Sequence, residues 1–297
     1  MLEIPRPADL PPIDYEDRLS QRNFRRLAAF IFDYSGIKMP ETKLTMLEGR
    51  LRRRLRATGF GSFDAYCDHV FDEGGLENEL YHLVDAVTTN KTDFFREPNH
   101  FEILADHVLP HLAASGQRQL RVWSSACSIG AEPYTLAMVL NDYMERTGAP
   151  DYRILATDLS CEVLEKAHRG IYPTEMLEPV PAPFFSRYVM VAKDRERGEV
   201  RISPRLRAKV GFARLNLMDE TYSIGSLMHI IFCRNVLIYF DKATQTRVLA
   251  RLCQCLEPGG FLFIGHSESI TGMNLPLKTL ANTVFQKVPR CPEKPVC

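Results

Sequence analysis

The chain has 297 residues, 45% of them hydrophobic and 25% charged, which suits one large or two small globular domains and excludes a disordered or fibrous chain. No apolar run reaches about 18 residues, so no membrane-spanning helix is expected, and the Pro-rich, acidic start MLEIPRPADLPPIDYED lacks the features of a secretory signal. The formal net charge of zero hides an asymmetry: residues 18–59 carry eleven Lys/Arg against three acids, whereas 60–90 carry seven acids and no Lys/Arg. Such a pattern speaks of partners rather than of fold.

Residues 1–17 read as a flexible lead-in, and 18–88 as a helical domain. Phe24, Leu27, Ala28, Ile31 and Phe32 make one apolar stripe at helical spacing, broken at Gly36. Leu44, Leu47, Leu51 and Leu55 make a second, ended near Gly59; Phe63, Tyr66, Cys67, Val70 and Phe71 make a third, stopped by Gly74-Gly75; Leu80, Leu83, Val84 and Val87 make a fourth. Four short helices with brief connections suggest a small bundle.

From about residue 117 strands alternate with helices. Leu120–Trp123 leads into a loop of small residues, and Pro133 opens a helix to about Met144. Arg153–Thr157 is a second strand, followed by a helix from the N-cap Ser160 to Gly170. His229–Phe232 begins another strand, Asp241 to about Leu256 a helix, and Phe261–Gly265 a further strand; Thr283–Val288 could supply an edge strand. This rhythm implies a mostly parallel sheet covered on both faces. Between them, Arg187–Val191 and Glu199–Ile202 flank a charged turn and read as an inserted β-hairpin.

The eight cysteines are scattered, and Cys253-x-Cys255 lacks a second pair, so reduced thiols and no metal site are expected. The loop Trp123–Tyr134 is rich in Ser, Ala, Cys and Gly, as a strand-to-helix loop that approaches a ligand needs to be, although a turn that binds nothing would have the same spacing. Asp158, at the tip of the second strand, is placed either to accept ribose hydroxyls or to favour a helix N-terminus. Thr88–Glu97 sets Phe94-Phe95 in a polar stretch, as in a loop folded onto a site. Arg234 and Asn235 follow a buried strand, where polar groups are costly without partners. In Arg50–Arg56, Leu51 and Leu55 share one side while Arg50, Arg52, Arg53 and Arg56 spread over the other, with Arg54 at the border. Five arginines in seven residues exceed the needs of a solvated face and point to an acidic partner: nucleic acid, anionic lipid or an acidic protein surface.

In order and spacing, TTNKTDFFRE, SSACSIGAEPYTLAM, ILATDLS, the Asn216-Leu217 pair, FCRNVLIYFD, LEPGGFLFIGHSES and the terminal TVFQK resemble the CheR family of chemoreceptor glutamate methyltransferases, from about residue 18 to 289. The resemblance implies an α/β fold. A Rossmann-like domain dependent on S-adenosyl-L-methionine (residues 89–297), with a small antiparallel β-subdomain inserted at about 184–212, would follow the all-α domain. It implies that Asn90, Thr92, Arg96, Glu132, Asp158, Asn216, Leu217, Arg234 and Asn235 bind the cofactor, whose product is S-adenosyl-L-homocysteine. Arg96 and Tyr239 match positions near the transferred methyl, and Arg50, Arg53, Arg54 and Arg56 would meet the acidic methylation helices of a receptor's cytoplasmic domain. Two departures stand out. Ala131 replaces a glutamate, and Val191–Gly198 keeps only Gly198 of a glycine-rich turn, which argues against docking on a receptor's C-terminal peptide.

A glutamate acceptor is ionised at neutral pH, its reference pKa being about 4.3, so the transfer needs alignment and exclusion of water rather than a general base. The expected enzyme is a cytoplasmic protein-glutamate O-methyltransferase recruited to receptor arrays, without nucleic acid, membrane insertion or metal. The alternative enzyme, a nucleic-acid methyltransferase, would use the arginine helix on phosphates. It is countered by a pI of about 7.1 and by the absence of an Asn/Asp-Pro-Pro-Tyr motif. A scaffold that merely binds S-adenosylmethionine would have no use for Arg96 and Tyr239.

Overall fold

The computed structural model describes residues 17–288, so the expected lead-in up to residue 16, and Cys291 and Cys297, lie outside it. The chain divides into two units, Met1–Thr89 and Asn90–Cys297.

The first unit is built from α1 (Gln21–Ser35), α2 (Leu44–Thr58), α3 (Phe63–Asp72) and α4 (Leu76–Val87). The Ser20 hydroxyl caps α1 by accepting the Asn23 N–H, and Gly36 ends it in the left-handed region at φ 71°. Phe24, Leu27, Ile31, Leu47, Leu51, Leu55, Phe63, Tyr66, Val70, Leu83 and Val87 share one core. The fourth stripe differs from its sequence pattern: Glu79 is buried, 4% exposed, while Leu80 is only half-buried. A carboxylate tolerates that position because it is paired. Arg54 donates to it twice, at 2.7 and 2.6 Å, and the Tyr66 hydroxyl donates at 2.9 Å.

The basic face of α2 is therefore narrower than its sequence suggests. Arg54 faces Glu79, and Arg50 donates to the Ala86 and Thr88 carbonyls at the end of α4, at 3.1 and 2.8 Å. Arg52 donates to Glu48 at 3.0 Å and to the Asp17 carbonyl at 2.8 Å, and lies over the Phe63 ring. Arg53 and Arg56 are the exposed members.

The second unit opens with a helical stretch, α5 (Asn99–Ile103), a π-turn (Leu104–Val108) and α6 (Leu109–Ala114). After β1 (Gln119–Ser124) come α7 (Ala131–Thr147), β2 (Asp151–Asp158), α8 (Cys161–Arg169), β3 (Ile171–Pro173), α9 (Ala182–Tyr188), β4 (Val189–Val191), β5 (Glu199–Ile202), α10 (Pro204–Arg207), β6 (Val210–Arg214), β7 (Met228–Cys233), α11 (Lys242–Cys255), β8 (Leu256–Ile264), β9 (Leu277–Ala281) and β10 (Val284–Lys287). The main sheet has the order β6-β2-β1-β7-β8-β10-β9. Its first five strands run parallel, and β10 pairs antiparallel to both β8 and β9. This is the Rossmann-like α/β fold implied by the alternation of elements. The small antiparallel sheet, β3-β5-β4, is the insertion.

Two details depart from the sequence reading. The Thr283–Val288 strand is not at the edge: β10 lies between β8 and β9, and β9 takes the edge. The insertion extends back to Ile171–Pro173, a strand too short and too proline-bound to recognise, and it closes before β6, which pairs with β2 in the main sheet.

Truncating one partner of a buried charge pair strands the other. We expect Arg54→Met to destabilise the helical unit by about 3 kcal/mol, and Arg53→Met to change it by less than about 0.5 kcal/mol, as read by urea unfolding of the whole chain followed by circular dichroism. Equal effects of the two substitutions would contradict this division of the basic face.

Candidate active site

In an open parallel sheet, ligands bind beyond the carboxyl ends of the strands where the strand order reverses, here between β1 and β7. The loop after β1 is laced to its neighbours at that place. Ser125 donates through both its N–H and its hydroxyl to the Phe232 carbonyl, at 2.9 and 3.0 Å, and the Cys127 N–H donates to the Thr157 carbonyl at 2.9 Å. Ser128, at φ 49°, donates its N–H to Asp158 Oδ2 at 2.8 Å and its hydroxyl to the Asn90 carbonyl at 2.9 Å. Gly130, at φ 94°, permits the turn into α7: a Cβ there would lie 2.9 Å from both the Ala167 methyl and the Tyr172 hydroxyl.

At the end of β7, Arg234 is buried between two carboxylates. Its Nη1 donates to Glu132 Oε2 at 3.1 Å and its Nη2 to Glu97 Oε2 at 3.0 Å and to the Arg96 carbonyl; its side chain is 2% exposed. The rings of Phe101 and Phe232 lie 5.5 and 5.8 Å from the guanidinium. Ser124 donates to the other oxygen of Glu132 at 2.7 Å. Asn235 donates through Nδ2 to Glu97 Oε1 at 3.0 Å, and the His266 N–H donates to the same oxygen at 3.2 Å. Glu268 fixes the adjoining turn by accepting the Gly265, Asn235 and Leu237 N–H groups at 2.6, 3.1 and 2.7 Å.

Among the described residues, Phe95, Glu97, Ser128, Asn235 and Thr283 are the non-glycine residues in left-handed backbone, and the first four lie in this site. Each such conformation costs about 1–3 kcal/mol and persists only where its surroundings over-determine it. The hydrogen bonds to Glu97, Ser128 and Asn235 are that determination.

The charges follow from the packing. Burial pushes the Glu97 carboxyl up, but the Asn235 amide, the Arg234 guanidinium and the His266 N–H outweigh it and hold the group at about 2. Burial dominates at Glu132 and raises it, with Arg234 pulling the other way. His100, fully buried, is pushed down to about 3 by burial and by Arg234.

Of the residues singled out from sequence, Arg96, Glu132, Arg234 and Asn235 are joined in one hydrogen-bonded network, and Asn90 and Asp158 in a second through Ser128, with Asn90 and Arg96 taking part through their carbonyls. Asn216 accepts the Met218 N–H, and Leu217 packs with Trp123 and Tyr222, a cluster against which Tyr239 also rests. Thr92 is half-buried in the loop before Arg96. Glu97, Ser128 and Glu268 were not singled out. Glu97 and Ser128 sit inside motifs that were, yet a residue that serves other residues has no signal of its own in a single sequence.

The family description "CheR methyltransferase, SAM binding domain" matches residues 90–285, and "CheR methyltransferase, all-alpha domain" matches 22–88. The chain belongs to the CheR methyltransferase family. "Chemotaxis protein methyltransferase 2" of Pseudomonas aeruginosa is 39% identical over 272 residues, covering 91% of this chain and 94% of that relative. "Chemotaxis protein methyltransferase" of Escherichia coli is 38% identical over 267 residues, 90% and 91% of the two chains, and that of Borreliella burgdorferi is 35% identical over 274 residues, 91% and 95%. S-adenosyl-L-methionine is the cofactor of this CheR domain, and the residues fit it. Glu132, whose two oxygens each accept one protein donor, keeps lone pairs for an ammonium group, and the Asp158 carboxylate stands at the tip of β2 beside the loop after β1.

A histidine that the fold holds neutral contributes stability above its unfolded pKa of about 6.5, and this is lost as pH falls towards its folded value. Melting temperature should therefore fall as the medium is acidified from about pH 6.5 to about pH 4. In His100→Gln that slope should flatten. An unchanged slope would show that His100 is not the group being charged.

Proposed function

We propose that this CheR-family chain methylates glutamate side chains on the cytoplasmic domains of chemoreceptors, forming glutamyl methyl esters and S-adenosyl-L-homocysteine, in the service of chemotactic adaptation. The observation that carries the choice of acceptor is the state of the site's buried histidine. His100 is held far below neutrality and turned to Thr283, 2.8 Å away, so it is no general base. A carboxylate is an acceptor that needs none. The names of the relatives, chemotaxis protein methyltransferases, support the same reading.

When bound, S-adenosylmethionine supplies a methyl carbon activated by its sulfonium, with a neutral thioether as leaving group. An ionised carboxylate would accept that methyl group without giving up a proton. The residues have to hold and align. Asp158 and Glu132 take the ribose hydroxyls and the ammonium, and Asn90, Thr92, Asn216, Leu217, Arg234 and Asn235 close the pocket. Arg96 orients the acceptor carboxylate through its guanidinium, whose described contact is a single donation to the Lys91 carbonyl at 3.1 Å, with Tyr239 as a second donor.

On the helical unit, Arg53 and Arg56 attract the acidic methylation helices, while Arg50 and Arg54 hold the surface that presents them. With Arg50, Arg52 and Arg54 engaged inside the unit, the cationic face is too sparse to favour a phosphate-binding role. The protein acts in the cytoplasm, at receptor arrays.

A tritium-transfer assay on receptor cytoplasmic fragments, with DNA and RNA as controls, tests the reading. The label should be released as methanol by mild alkali, as an ester is; alkali-stable label, or label on nucleic acid, would overturn it. We expect Arg96→Ala to lower turnover by about 100-fold or more at unchanged melting temperature, and near-normal methylation would remove Arg96 from the mechanism. Arg53→Glu should raise KM roughly fivefold, the effect of about 1 kcal/mol at an exposed contact, at unchanged kcat, and the difference should shrink as salt is added. A salt-independent KM would leave Arg53 without this role.

A further inference from the structure

We propose that Glu97, His100 and His266 form a binding site for one divalent transition metal ion of the zinc class. Their ligand atoms, a carboxylate oxygen and one ring nitrogen from each histidine, lie within 4.8 Å of one another.

The argument starts from a single hydrogen. The Thr283 hydroxyl donates to the Asn282 carbonyl at 2.6 Å, which uses its only proton. The 2.8 Å contact between Thr283 Oγ1 and His100 Nε2 must then be a donation from the ring, so the imidazole carries its hydrogen on Nε2. Nδ1 is left with a lone pair. It is fully buried and has no hydrogen-bond partner, and it faces Glu97 Oε2 at 3.4 Å. Two acceptors opposed across that distance repel unless a positive centre lies between them. Glu97 Oε2 gives one lone pair to Arg234, which leaves the other for that centre.

His266 supplies the third donor. Its ring lies edge to face with that of His100, with centroids 4.8 Å apart, while its own N–H holds Glu97 Oε1. Unlike His100 it is exposed, so the fourth position of the ion would open to solvent. Two imidazoles and one carboxylate suit zinc, cobalt, nickel or copper rather than calcium or magnesium, which prefer all-oxygen shells. The charge balance also fits: formally, Glu97 and Glu132 against Arg234 leave one negative charge for a dication to meet. The Thr283 contact resembles the outer hydrogen bond that fixes the tautomer of metal-bound histidines. The left-handed backbone of Thr283, φ 60°, is unusual for a β-branched residue and occurs at this anchor.

The test is a cobalt(II) titration of the full-length protein after dialysis against a chelator. One equivalent should bind, with visible d–d bands and no thiolate charge-transfer band, and zinc should displace it. His266→Asn, at an exposed position, should abolish the bands at concentrations that saturate the parent, and Thr283→Val should weaken binding on the order of 10- to 100-fold. Absence of d–d bands in the parent, a thiolate band, or bands unchanged in His266→Asn would overturn the proposal.

Discussion

A guanidinium with 2% of its side chain exposed cannot stand without counter-charge, and that requirement organises the catalytic unit. Arg234 comes from the end of β7, Glu132 from the first turn of α7, and Glu97 and the Arg96 carbonyl from the loop that opens the unit. One cation thereby fastens three segments that are more than thirty residues apart in the chain. Removing either carboxylate would leave part of a buried charge unmatched, a cost of about 3–5 kcal/mol in comparable pairs. These residues, which the candidate site brings together, are thus also the residues that hold one another.

The strained backbone belongs to the same arrangement. Glu97 and Asn235 both occupy left-handed conformations, and they are hydrogen-bonded to each other. Gly265 admits the turn beneath them, since a Cβ there would lie 2.6 Å from the Asn235 amide nitrogen. A site whose task is alignment gains from such pre-set geometry, because little remains to be ordered when the reactants arrive.

Much of this was legible in the sequence, for identifiable reasons. Strand and helix alternation, the caps at Ser160 and Gly170, and the small-residue loop after β1 are local signals, and they hold in the structure. What stayed hidden depends on long-range pairing. Glu79 is buried because Arg54, twenty-five residues away, reaches it, and Leu80 gives up the core position that periodicity assigned to it. The edge strand β9, LKTLA, neither alternates nor forms an apolar run, so β10 alone carried a strand signal at this end of the chain and was read as the edge. His100 and Thr283, 183 residues apart, offer no spacing that a single sequence can reveal.

Tyr172 of β3 ties the small sheet to the loop between β1 and α7. Its hydroxyl donates to the Ile129 carbonyl at 2.7 Å, its ring stands edge-on to Phe94, and it limits Gly130 to a hydrogen side chain. Transplanting the insertion from one relative to another would therefore disturb the turn at Gly130 unless Tyr172 stays with its host. The seam of any such chimaera belongs after Pro173, on the β4–β5 side of the sheet.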